Sequence, residues 1–83
     1  MAVTPVPRIL IVDDDRTTLR MLSLPLKAAG YTIATASDGT TALARLARTR
    51  FDLVLLDVWM PGMDGLEVLA RLRGAPSRPR VVV

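Results

Sequence analysis

A chain of 83 residues, 51% hydrophobic and 4% aromatic, is one domain at most, and a domain this short buries only ~60–65% of its unfolded surface. Cysteine and histidine are both absent, which excludes disulfides, thiolate or imidazole metal sites, a Ser-His-Asp triad and a phosphohistidine donor role. Ten Arg and one Lys against eight acids give a net charge of +3; the arginines are scattered without aromatic partners, which reads as solvated helical faces and not as a nucleic-acid surface, and with no apolar stretch near the ~20 residues of a membrane span and no basic leader the expected location is the cytoplasm.

Met1 to Pro7 is a loose lead-in, because Pro5 and Pro7 lack ladder donors. Arg8–Val12 is the first strand, and its continuous apolar run Ile9–Val12 is the pattern of a strand buried on both faces of a parallel sheet. A helix is predicted over Thr17–Ala29, with Leu19, Leu22 and Leu26 on one stripe, Gly30 as its C′ residue and Pro25 as a bend. Tyr31–Ala36 is the second strand, and Ser37 or Asp38 caps a second helix over Thr40–Arg48, with Ala42, Leu43, Leu46 and Ala47 inward. Phe51–Asp57 contains the third strand. Asp64 to Glu67 has the form of a capping box opening a third helix that runs to about Arg73, where Gly74 and Pro76 end it. Ser77–Arg80 is a short polar linker, and Val81–Val83 begins a fourth strand. Strands alternating with helices in this way give an α/β fold with right-handed crossovers.

Two of the apolar runs stop at aspartate: Ile9 to Val12 before Asp13-Asp14-Asp15, and Leu53 to Leu56 before Asp57. The carboxyl ends of neighbouring parallel strands open onto the ligand crevice, so adjacent runs bring Asp13, Asp14 and Asp57 together. Clustered carboxylates call for a cation, and an all-oxygen donor set suits Mg²⁺, which keeps several waters and leaves positions for phosphate oxygens. A turn at Pro61-Gly62 fixes the backbone after Asp57, and the carbonyls of Val58 and Trp59 are further candidate ligands. A carboxylate beside a cation-held phosphoryl group is a competent acceptor. Asp15, beside Thr17 and Thr18, and Asp64 read more simply as helix caps.

Ile-Leu-Ile-Val-Asp-Asp-Asp at 9–15, Ala-Ser-Asp-Gly at 36–39 and the block from Asp52 to Glu67 resemble the receiver domain of bacterial two-component response regulators, over almost the whole chain. The resemblance implies a flavodoxin-like fold over residues 1–83, with strand order 2-1-3-4 for the part present. It implies Asp57 as phosphoacceptor, Asp14 and Asp57 as direct Mg²⁺ ligands with the Trp59 carbonyl, and Asp13 as an acidic partner acting through water. It further implies a sensor histidine kinase or phosphotransfer protein as donor, an output module of unstated kind, and no enzyme activity beyond self-phosphorylation from small phosphodonors and autodephosphorylation. No membrane or direct nucleic-acid contact is expected.

The pattern is incomplete. The family's strand-four hydroxyl and its strand-five lysine and aromatic have no match here, and the only lysine, Lys27, lies on the first helix. The chain is therefore expected to be a truncated receiver, with apolar surface open on strands one and three and an apolar Val81–Val83 edge, so that self-association, segment exchange or a poorly packed state is expected. Two rival readings remain. Asp13-Asp14-Asp15-Arg16-Thr17 also resembles the opening motif of haloacid-dehalogenase-like phosphatases, with Asp13 as nucleophile and Asp15 as general acid. The other rival is a docking module that is never phosphorylated.

Overall fold

The computed structural model describes residues 6–57, 65–74 and 79–83. In chain order the elements are β1 (Arg8–Val12), α1 (Arg16–Ala28), β2 (Thr32–Ala36), α2 (Gly39–Arg48), β3 (Leu53–Leu56), α3 (Gly65–Arg73) and β4 (Arg80–Val82). The strands form one parallel sheet in the order β2-β1-β3-β4. The α/β class and the strand order are those expected from the sequence.

Side-chain alternation divides the interior in two. Ile9 and Ile11 of β1 turn to α1 and meet Leu19, with Leu26, Ile33, Leu53 and Leu55 packed around them. Leu10 and Val12 turn to the opposite face and join Val54, Leu56, Ala42, Val68 and Leu72. β1 is thus sandwiched between two helical layers, which is why four consecutive apolar residues were needed there: Ile9, Leu10, Ile11 and Val12 are all buried.

Local chemistry sets the helix ends. Asp15 caps α1 and Asp38 caps α2. At the far end of α1 the Tyr31 N–H donates to the Leu26 carbonyl and the Gly30 N–H to the Lys27 carbonyl, the paired bonds of a Schellman motif. Gly30 takes the left-handed conformation this requires, with φ of +100°. Pro25 lies inside α1 without ending it. The donor it lacks would have met the carbonyl of Met21, an exposed residue on the solvent side, where a missing helical bond costs less than in the interior.

Two positions depart from the expected stripes. Leu22 is 39% exposed, while Ser23 is buried with its hydroxyl donating to the Leu19 carbonyl. The helix packs over β1 and β2, so Leu22 overhangs the part of the sheet that α1 does not reach. On α2, Ala47 is exposed, and the inward face is Ala42, Leu43 and Leu46. Element boundaries shift by a residue or two: α1 and α2 begin one residue earlier than expected, β2 begins at Thr32, and β4 is Arg80–Val82. The Pro61-Gly62 turn, the Asp64 cap, Pro76 and Trp59 lie outside the described residues.

Candidate metal and acceptor site

The site is built at the carboxyl ends of β1 and β3. The register that pairs Val12 with Leu56 makes Asp13 and Asp57 the next residues on adjacent strands. Their backbones are held by the ladder itself. The Asp57 N–H donates to the Val12 carbonyl at 2.9 Å, and the Asp13 N–H to the Ala36 carbonyl of β2 at 3.1 Å. Each aspartate is therefore fixed by the strand beside it, and the carboxylates leave the sheet at the same level.

The structure separates the three consecutive acids by role. Asp15 is committed to α1: its Oδ1 accepts the Thr17 N–H at 3.0 Å and its Oδ2 accepts the Thr18 hydroxyl at 3.0 Å. Its own N–H donates to Asp13 Oδ1 at 2.9 Å, which turns the chain from strand into helix and orients the Asp13 carboxylate. Asp13, Asp14 and Asp57 converge, with one carboxylate oxygen from each lying within 4.8 Å of the others. Asp13 and Asp57 are half-buried and Asp14 is exposed.

The electrostatics follow from that convergence. Burial is the main cause that raises the Asp13 carboxyl above its ordinary value, and the nearby charges of Asp57 and Asp14 raise it further; the Asp15 N–H works in the opposite direction. Like charges held this close disfavour one another's ionised forms, and a divalent cation removes the conflict. The donor set is hard oxygen only, so it fits Mg²⁺ and offers nothing to a soft metal.

Every described residue singled out for this site is therefore brought to it. The expected Trp59 carbonyl ligand lies outside the described residues. With both oxygens of Asp15 engaged as a cap, the phosphatase-like arrangement has no free acid at that position. One contributor was not anticipated. Asp52 ties the opposite end of the same strand pair, its Oδ2 accepting the Arg8 N–H at 2.8 Å while its N–H donates to the Arg8 carbonyl at 2.8 Å. An acid at the entry of a buried strand was the only signal available.

Beside the acidic cluster, the α1 face of the sheet opens into a groove of about 430 Å³. Its floor is Ile11 and Leu55, and its walls include Leu22, Val82 and Val83.

Known proteins resemble this chain in sequence and in fold. The family described as response regulator receiver domain matches residues 9–83. Response regulator PleD of Caulobacter vibrioides is 47% identical over 76 residues, covering 92% of this chain and 17% of that protein. DNA-binding response regulator MtrA of Mycobacterium tuberculosis is 43% identical over 76 residues, covering 92% of this chain and 33% of its own length. The chain thus spans between about a sixth and a third of these curated relatives. Among solved structures, response regulator protein TrrA of Thermotoga maritima in complex with Mg²⁺–BeF superposes with a TM-score of 0.87 at 37% identity, over 94% of this chain and 68% of that one. The same protein bound to histidine kinase ThkA gives a TM-score of 0.83 at 38% identity, over 92% and 66% of the two chains.

Proposed function

The chain belongs to the response regulator receiver domain family, and from that premise we propose that Asp57 is its phosphoacceptor, charged by a histidine kinase in a two-component relay. The observation that carries this reading is the convergence of Asp13, Asp14 and Asp57 within 4.8 Å on two strand ends whose backbones are locked to each other. Asp57 is the member held on β3 by the Val12 carbonyl and opening onto the apolar groove. Its carboxylate oxygen forms the new bond to phosphorus as the donor's nitrogen–phosphorus bond breaks, and the released imidazole stays with the kinase.

The residues fit Mg²⁺, which Asp13, Asp14 and Asp57 would hold, with Asp13 as the acidic partner acting through water. When bound, the ion neutralises charge on the phosphoryl oxygens and on the carboxylates, the main requirement of this transfer. Asp13 and Asp14 then serve as fixed negative charges that place the cation. The polypeptide contributes alignment more than covalent chemistry. TrrA in complex with Mg²⁺–BeF and with a histidine kinase supports the same chemistry and the same class of donor for this chain. Self-phosphorylation from acetyl phosphate and slow self-hydrolysis complete the proposed activity. The resulting acyl phosphate adds a dianion at the carboxyl end of the sheet, which biases a two-state equilibrium read by an output module.

The test is labelling with acetyl phosphate in Mg²⁺, followed by mass spectrometry of intact and digested protein. Label on the peptide containing Asp57, lost in Asp57→Asn and retained at reduced level in Asp13→Asn, is the expected result. Label that survives Asp57→Asn and vanishes only in Asp13→Asn transfers the acceptor role to Asp13.

A further inference from the structure

Cations that are scattered in the sequence are gathered by the fold along the open edge of β2. A groove of about 520 Å³ runs between the two helical layers there, lined by Arg16, Arg20 and Lys27 of α1 and Arg45 of α2, with Thr35 of β2 between them. All four cations are exposed, and none has a carboxylate partner among the described residues. From residue 16 to residue 50 the chain has six cations and a single acid, Asp38, whose carboxylate is occupied by the Thr41 N–H.

Among the described residues, the same edge carries unpaired backbone groups. The Thr32 N–H donates to Pro7 and the Ala36 carbonyl accepts from Asp13, so the even-numbered residues of β2 are turned toward β1. Successive residues of a parallel strand alternate, so the N–H and C=O groups of Ile33 and Thr35 face the open edge.

Dimensions decide what such a surface fits. The α1 stripe from Arg16 to Lys27 is ~16 Å long at ~1.5 Å per residue. The five residues of β2 span ~16 Å at ~3.3 Å per residue. Arg16 and Arg20 are ~6 Å apart along the helix, close to the ~6.6 Å between alternate residues of a strand. A compact phosphate ligand would meet only part of this row. Single-stranded nucleic acid would find no aromatic side chain among the lining residues to stack on.

We propose that the β2 edge is a docking site for an extended acidic peptide segment of a partner protein. The segment adds as a strand beside β2, bonding the outward groups of Ile33 and Thr35. Asp or Glu at alternate positions meets Arg16, Arg20 and Lys27 on one face, and an intervening acid meets Arg45 on the other. Docking at this edge does not depend on phosphoryl acceptance at Asp57.

The test uses the 83-residue chain and a short fluorescent peptide alternating Glu and Thr. A permuted peptide with its Glu residues in one block and an oligothymidylate of equal charge are the comparators. Fluorescence anisotropy is expected to show the alternating peptide binding about tenfold more tightly than either comparator. Hydrogen exchange should slow at the Ile33 and Thr35 amides when it binds. Because Arg20 and Lys27 are exposed, the Arg20→Glu, Lys27→Glu double variant is expected to keep its circular dichroism spectrum and lose about tenfold in affinity. Equal binding of the blocked peptide or the oligothymidylate would reduce the site to general polyanion attraction and overturn the proposal. So would unchanged exchange at Ile33 and Thr35, or unchanged affinity of the folded double variant.

Discussion

Asp13 carries two duties that pull its charge in opposite directions. It orients itself by accepting the Asp15 N–H, and it shares a small volume with Asp14 and Asp57. Replacing one oxygen by an amide keeps the first duty and removes a like charge from the second. In metal-free buffer at neutral pH, Asp13→Asn is expected to raise the unfolding free energy slightly, by under about 1 kcal/mol, and to weaken the stabilisation gained on adding Mg²⁺. A variant destabilised without metal yet equally responsive to Mg²⁺ would remove Asp13 from the proposed cation site. Asp38 shows the opposite electrostatic sign. The Thr41 N–H, donating at 2.6 Å, is the first cause holding its carboxyl below the ordinary 3.8. A carboxyl depressed in the folded state stabilises fully above its unfolded value and loses that contribution as pH falls through the folded one. Asp38→Ala should therefore lower the melting temperature at neutral pH, and the gap from the parent should close in acid well below pH 3.8. A gap that stays constant down to that acid range would show that the charge of the cap contributes nothing.

At the scale of elements, α1 is the least regular piece and the most exposed to design by substitution. Its start is fixed by Asp15 and its end by Gly30, both readable from residue type, since only a short acceptor satisfies the first N–H groups and only glycine takes positive φ cheaply. Its middle contains Pro25, which leaves the Met21 carbonyl to solvent. Pro25→Ala restores that bond and removes the ring clash, partly offset by greater freedom of the unfolded chain. A gain of about 1–2 kcal/mol in urea denaturation is expected; a loss would mean that the bend at Pro25 is required for α1 to follow the sheet. Leu22 was expected inside because helical periodicity treats one face as one environment. The actual environment is bounded by where α1 stops covering the sheet, and periodicity carries no information on that limit.

For the whole molecule, the consequence is a sheet unequally covered. One face is closed by α2 and α3 around Leu10, Val54 and Val68, all fully buried. On the other, Leu22 and Val82 border an open groove and are 39% and 54% exposed. β4 forms one edge of the sheet, short and apolar in its last residues, with only Arg80 charged. Small domains have little stability in reserve, and open apolar surface next to an unpaired strand edge favours pairing between copies. Sedimentation velocity of the 83-residue chain is expected to show concentration-dependent association, reduced in Val82→Lys, which places a charge on that edge. A monomer with an unchanged sedimentation coefficient at all concentrations would show that the groove and edge are tolerated in water. No described helix is long and apolar enough to cross a membrane.

What the sequence determined by itself was the class of fold and the identity of the acidic tips. Both are local in origin: a run buried on both sides must be apolar at every position, and an aspartate that ends such a run leaves the sheet where the strand does. Cap residues were legible for the same reason, since Asp15, Asp38 and Gly30 act on their immediate neighbours. The tertiary structure alone decided which acids meet, because the approach of Asp57 to Asp13 and Asp14 depends on β3 pairing with β1 in one register. It alone decided that Leu22 faces a groove, and that Arg16, Arg20, Lys27 and Arg45 border one strand edge. These are relations between elements distant along the chain, and the physical quantity that sets them, the area each helix covers on a shared sheet, is written in no single stretch of residues.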